Sequence, residues 1–199
     1  MSSSTSIIVV FEDDLSKAVL KKILPDKYTY IWRSGRGFGY IKKNINEYNR
    51  TAKTVPVLVL TDLDRRECAP TLIEVWLPFH RHNPKLLFRV AVREVESWVL
   101  ADRDRFARSL GIKGTSIQVK VDEIDDPKEY LINLARRSNK RELREAIVPG
   151  KGSEADHGPD YNGYLTQFIR EYWDIQEAIC NSPSLKRVIK AVENFQPEQ

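Results

Sequence analysis

Short apolar runs alternate with segments of helical period along the first half of the chain. Ser6-Ile-Ile-Val-Val-Phe11 is rich in β-branched residues and predicts a buried strand, with Glu12-Asp13-Asp14 directly after it. Leu15, Val19, Leu20, Ile23 and Leu24 then recur at helical spacing; Asp13 or Asp14 can cap that helix, and Pro25 ends it. A second strand is predicted over 28–32, a loop over Arg33-Ser-Gly-Arg-Gly-Phe-Gly39, and an exposed helix over 40–48. Residues 55–60, Val-Pro-Val-Leu-Val-Leu, are apolar at both parities, the pattern of a strand covered on both faces in a parallel sheet. Leu72, Ile73, Trp76 and Leu77 mark a helix that stops at Pro78. A fourth strand follows over 86–92, then a helix through Val95, Trp98, Val99, Phe106 and Leu110 to Gly111.

This alternation of strand and helix implies an α/β fold: a Rossmann-like parallel sheet of about four strands, flanked by helices and joined by right-handed crossovers. Functional groups are then expected at the carboxyl ends of the strands. Beyond Gly111 the pattern changes. It predicts a strand over 116–121, a helix from 127 to about 137, and a polar loop over 149–163. Two closing helices follow, one on Tyr164, Leu165, Phe168, Ile169, Tyr172 and Trp173, the other starting at Ser184 on Leu185, Val188, Ile189 and Val192. The expected organisation is a core over 1–111 and a mainly helical C-terminal extension over 112–199.

Of the 199 residues 41% are hydrophobic and 30% charged, a balance that excludes disorder, collagen and coiled coil in favour of a globular protein. The formal charge is +4, but residues 1–110 hold 19 basic and 13 acidic side chains while 111–199 hold 13 and 15, so the basic excess lies in the first half. That bias permits an anionic partner such as nucleic acid. Cys68 and Cys180 are far apart, and with His80, His82 and His157 they compose no zinc motif; His80 and His82 read as residues of a polar loop. The N-terminal residues lack the basic flank and apolar length of a signal peptide, and no run is long enough to span a membrane. A cytoplasmic, thiol-reduced location is expected.

The candidate chemistry is acidic. Glu12 stands at the end of the first strand, Asp62 and Asp64 at the end of the third, and Glu94 and Glu96 after the fourth, so three strand ends present carboxylates at one rim. In extended chain Asp62 and Asp64 share a face. Such a cluster is costly without a compensating cation, because like charges oppose one another's ionisation, and Mg²⁺ or Mn²⁺ with oxygen ligands would supply the charge. The plainer roles are helix caps: they suit Asp13 and Asp14, can take one of Asp62 and Asp64, and can take Glu94 or Glu96 in a first helical turn. They do not suit Glu12, which precedes the cap position.

These residues resemble a family. Phe11-Glu12 after a strand and Leu60-Thr-Asp62-Leu-Asp64 after a later one are similar to the glutamate and Asp-x-Asp motifs of Toprim domains, found in topoisomerases, primases and nucleases of the overcoming-lysogenization-defect (OLD) type. Asp62-Leu-Asp64-Arg-Arg-Glu-Cys68, Arg93-Glu-Val-Glu96-Ser-Trp98-Val-Leu-Ala-Asp102, Gly158-Pro-Asp-Tyr-Asn162 and Ser182-Pro-Ser-Leu185 resemble small stand-alone Toprim-like proteins of bacteria, many of them encoded beside an ATPase. Asp13 stands where Toprim sequences usually carry glycine. The resemblance implies a metal-dependent nuclease, with a defence role and a separate ATPase partner. Glu12 would be metal ligand or general acid/base, Asp62 and Asp64 metal ligands, and Glu96 or Glu94 the completion of a second metal site. Phosphodiester cleavage by two cations needs such convergence of carboxylates.

Arg65, Arg66 and Arg93 near the rim can hold phosphates, and Arg36 in the Gly35-Arg-Gly-Phe-Gly39 loop can touch nucleic acid, although that loop matches no nucleotide fingerprint and the chain has no P-loop. Trp98 reads as core, and Arg136-Arg-Ser-Asn-Lys-Arg141 as a basic surface stretch. Two rival readings remain open. One is a receiver-type phosphoacceptor using Asp13, Asp14 and Asp62; the other is a non-catalytic Toprim-like subunit that binds nucleic acid or an ATPase.

Overall fold

The structure, a computed structural model, describes residues 5–197; positions 1–4, in the polar N-terminal stretch, and 198–199 lie outside it. Its described residues form two compact units, 5–92 with 187–197, and 93–186, so the division falls at Val92–Arg93 whereas the sequence pattern changes at Gly111.

The first unit is the expected parallel sheet. Its strands are β1 (Ser6–Phe11), β2 (Thr29–Ser34), β3 (Val57–Asp62) and β4 (Leu86–Ala91), ordered β2-β1-β3-β4 with every pair parallel. Helix α1 (Asp14–Ile23) connects β1 to β2 and packs on β1. Helices α2 (Phe38–Thr51) and α3 (Ala69–Trp76) connect the later strands. Ile41, Ile45, Leu72 and Trp76 of these two helices form one buried cluster with Val10, Val57, Val59, Phe88 and Val90, so they share a face of the sheet. Since the chain runs from β1 outward to β2 and then back past β1 to β3, right-handed crossovers place α1 on the opposite face. The central β3 is buried on both sides, as its double-parity apolar run requires, while β2 is an exposed edge.

Two strand boundaries differ from expectation in a way that matters. β3 begins after Pro56, whose carbonyl accepts from Ile8 N–H at 2.9 Å, and therefore runs on to include Asp62, paired in register with Ala91. β2 extends to Ser34, paired with Phe11, which brings the glycine loop against the end of β1. Gly35 N–H donates to the Phe11 carbonyl at 2.6 Å, and a Cβ on Gly35 would meet Ile41 Cγ1 at 2.4 Å, so this close approach requires glycine. Gly37, at φ 86°, turns the chain into α2 and donates its N–H to the Glu12 carbonyl.

The second unit is helical: α4 (Val95–Ala101), α5 (Arg103–Leu110), α6 (Pro127–Arg136), α7 (Arg141–Ile147), α8 (Tyr161–Glu171) and α9 (Ile175–Asn181), with α10 (Pro183–Glu193) starting in it. The single helix expected from Val95 to Gly111 is two, broken at Asp102. That side chain is buried because Oδ2 accepts Asp174 N–H at 2.8 Å and Oδ1 pairs with Arg105 at 3.4 Å. Burial pushes the Asp102 carboxyl above its ordinary range, against these hydrogen bonds and the Arg105 charge.

The strand expected over 116–121 is instead a pair of 3-10 turns, Gly114–Ser116 and Val121–Glu123, with irregular chain between them. Its backbone is satisfied by side chains: Arg103 donates to the Ile117 carbonyl at 3.1 and 2.7 Å, and Tyr130 Oη accepts from Gln118 N–H and donates to the Ser116 carbonyl. Trp98 is fully buried as expected, with Nε1 donating to Ser184 Oγ at 3.1 Å. Asp122 accepts from Ser182 Oγ and from Ser184 N–H, both at 2.7 Å, so the Ser182-Pro-Ser-Leu185 motif fixes the start of α10. Among the described residues no helix is long and apolar enough to cross a membrane.

Candidate active site

In a sheet of order β2-β1-β3-β4 the chain leaves β1 in one direction and crosses to β3 in the other, which opens a crevice at the carboxyl ends of these two strands. Glu12 stands there, one residue past β1. Its Oε1 accepts the hydroxyl of Thr61 and, at 3.0 Å, the backbone N–H of Asp62, both at the end of β3. One carboxylate thus ties together the two strand ends that flank the crevice. Thr61 is almost wholly buried, so its hydroxyl has a fixed aim.

Burial raises the Glu12 carboxyl above its ordinary range. The two hydrogen bonds oppose that rise, and the negative charges of Asp64 and Asp13 add to it. Glu12 and Asp64 therefore lie within electrostatic reach of one another.

Asp64 arrives by a different route from the one expected. β3 ends at Asp62, and Asp64 adopts φ 50°, the left-handed region that aspartate tolerates better than most residues, so the two do not share a face of extended chain. A tight turn forms instead: Arg66 N–H donates to the Leu63 carbonyl at 3.2 Å, and Leu63 is buried beneath it. The Arg66 guanidinium closes the turn from outside. Its Nη1 reaches Asp64 Oδ2 at 2.6 Å and the Leu63 carbonyl at 3.1 Å, while its Cζ lies over the Phe38 ring, 3.5 Å from the centroid. Phe38 is held edge-on against Trp76 at 4.6 Å. A chain of packed side chains, Trp76 to Phe38 to Arg66, thereby sets the position of Asp64.

Asp13 caps α1, its Oδ1 accepting Ser16 N–H at 2.8 Å, as read from the sequence. Arg36 is exposed at φ 47°, with its guanidinium 6.0 Å from the Tyr40 ring, and Arg65 is exposed on the turn after Asp64. Arg93, Glu94 and Glu96 belong to the second unit. There Glu94 is the N-cap of α4, and its Oε2 accepts Lys128 N–H at 3.0 Å in the first turn of α6. Glu96 is buried and accepts the Tyr161 hydroxyl at 3.0 Å; the Tyr161 ring stacks on His157 at 4.8 Å. Among the described residues no three His, Cys, Asp or Glu side chains are gathered closely enough to hold a metal ion by themselves.

Thr61 and Phe38 were not legible as site residues. The one sequence signal for Thr61 is a hydroxyl inside an otherwise apolar strand, just before an acid. Compared with protein-family models, curated proteins and solved structures, the chain matches none.

Proposed function

We propose that this chain is a divalent-metal-dependent nuclease of the Toprim type, hydrolysing phosphodiesters with Mg²⁺ or Mn²⁺ at the β1–β3 crevice. What supports the proposal is one observation: Glu12 is held across the crevice by Thr61 and the Asp62 amide, within reach of the Asp64 charge. Mg²⁺ keeps several waters and is usually bound by one or two carboxylates plus substrate phosphate, not by an all-protein cage. An open set of oxygen donors fits that habit. Bound there, the ion would activate a water and stabilise the leaving oxygen.

The chain's own residues would divide the remaining work. Asp62 and Asp64 offer oxygens to the ion. Glu12, whose raised pKa brings it nearer neutrality, takes or returns a proton as general acid/base. Arg66 and the exposed Arg65 and Arg36 hold phosphates of the nucleic acid. A role in defence beside a separate ATPase subunit is part of the same proposal and rests on the resemblance alone.

The test is cleavage of plasmid, linear and single-stranded DNA, and of RNA, with Mg²⁺ or Mn²⁺. Cutting that EDTA abolishes and that Asp62→Ala lacks is the expected result. Cutting indifferent to EDTA would refute the metal chemistry. No cutting with either ion would refute turnover by this chain alone and favour a binding subunit.

A further inference from the structure

The second unit contains a cavity of about 890 Å³ between α5, α7 and α8, a volume typical of small-molecule sites. Its floor is apolar. Phe168 is buried there and locked edge-on against Phe106 at 5.1 Å. Tyr172 stands at the lip, 59% exposed, with its ring centroid 6.4 Å from that of Phe168. A large aromatic left in solvent beside a rigid apolar floor is a platform for a flat ligand.

The charges around this platform narrow the ligand further. Arg105 is bound to Asp174 at 3.1 Å and to Asp102, and Glu171 to Arg170 at 3.0 Å, so these charges are largely satisfied within the fold. Arg108 is exposed, and Lys140 Nζ is anchored on the Ser109 carbonyl at 2.8 Å with two more N–H groups to offer. Glu142 and Asp160 line the same cavity. A wholly apolar ligand would leave these groups desolvated, and a purely anionic one would meet two carboxylates. A nucleotide carries a flat base, an anionic phosphate and sugar hydroxyls that carboxylates accept from.

We propose that this groove binds a nucleotide, with its base on Tyr172, its phosphate at Arg108 and Lys140, and its sugar hydroxyls toward Asp160 or Glu142. The ligand is either a free nucleoside monophosphate or one nucleotide of a single RNA strand, whose 2′-hydroxyl remains free. The proposal uses residues of the second unit alone and does not depend on metal or on cleavage.

Calorimetric titration of the full chain in EDTA, with AMP, GMP, CMP and UMP and then with short single-stranded RNA, separates the two sources. Saturable binding of a monophosphate assigns the free nucleotide; binding of an oligonucleotide alone assigns the strand. In either case Tyr172→Ala and Arg108→Ala should each weaken binding by about tenfold or more, while Tyr172→Phe, which keeps the ring, should bind nearly as well as wild type. Both side chains are exposed, so circular dichroism should be unchanged in the variants. Failure of every probe to bind, or equal binding by the alanine variants, would overturn the proposal.

Discussion

Replacing Thr61 with valine removes one hydroxyl and leaves the buried volume of the strand end nearly unchanged. The hydroxyl donates to Glu12, so its loss is felt differently by the two protonation states of that carboxyl. A hydrogen bond to a charged acceptor contributes roughly 1.5–3 kcal/mol and one to a neutral acceptor roughly 0.5–1.5 kcal/mol. The ionised form therefore loses about 1 kcal/mol more than the protonated form, and the folded-state pKa of Glu12 should rise further.

The sign for stability follows by linkage. Glu12 already titrates above the ordinary carboxylate range in the fold, so folded protein holds the proton more tightly than unfolded chain, and stability falls as pH rises through that window. Thr61→Val deepens this fall. Its destabilisation, measured by urea denaturation, should grow by about 1 kcal/mol between about pH 4 and about pH 7. Thr61→Ser, which keeps the donor, should not show the growth, and in a Glu12→Gln background Thr61→Val should have a cost independent of pH. A pH-independent cost in the otherwise native chain would refute the claim that Thr61 serves the charged form of Glu12.

Two further outcomes test the scaffold around this site. Asp13→Ala removes the acceptor of Ser16 N–H at the start of α1 and should cost about 1 kcal/mol in urea denaturation; no change would show that the cap does not hold the helix. Gly35→Ala forces a Cβ to within 2.4 Å of Ile41 and should cost about 1–3 kcal/mol, seen as a lowered Tm. A wild-type Tm would mean that the glycine loop is not seated on β1 as described.

Much of the second unit was illegible for reasons of chemistry, not of pattern length alone. The run 116–121 alternates apolar and polar side chains as a strand would, and Ile117 and Val121 are indeed buried. No neighbouring strand takes its backbone groups, which go to Arg103 and Tyr130. The break between α4 and α5 depends on Asp102 meeting the Asp174 amide, a partner 72 residues away. Helices α7 and α9 have seven residues each, too few for a period of 3.6 to stand out. Glu94 and Glu96, read as rim acids, are engaged by Lys128 and Tyr161 in the second unit's own packing, contacts with partners distant in sequence.

The sequence by itself determined the parallel sheet. A strand buried on both faces must be apolar at both parities, and the spacing between such runs leaves room only for crossover helices, so 6–11, 55–60 and 86–92 mark three of the four strands before any contact is known. It also put Glu12, Asp62 and Asp64 after strands, where parallel topology places functional groups. Only the tertiary structure decided how they meet. The order β2-β1-β3-β4 made β1 and β3 neighbours, two donors on β3 then fixed the Glu12 carboxylate, and a left-handed turn under Arg66 and Phe38 aimed Asp64. Apolar burial is written locally, residue by residue; hydrogen bonds and ion pairs between distant segments exist only once the backbone has brought their partners within about 3 Å.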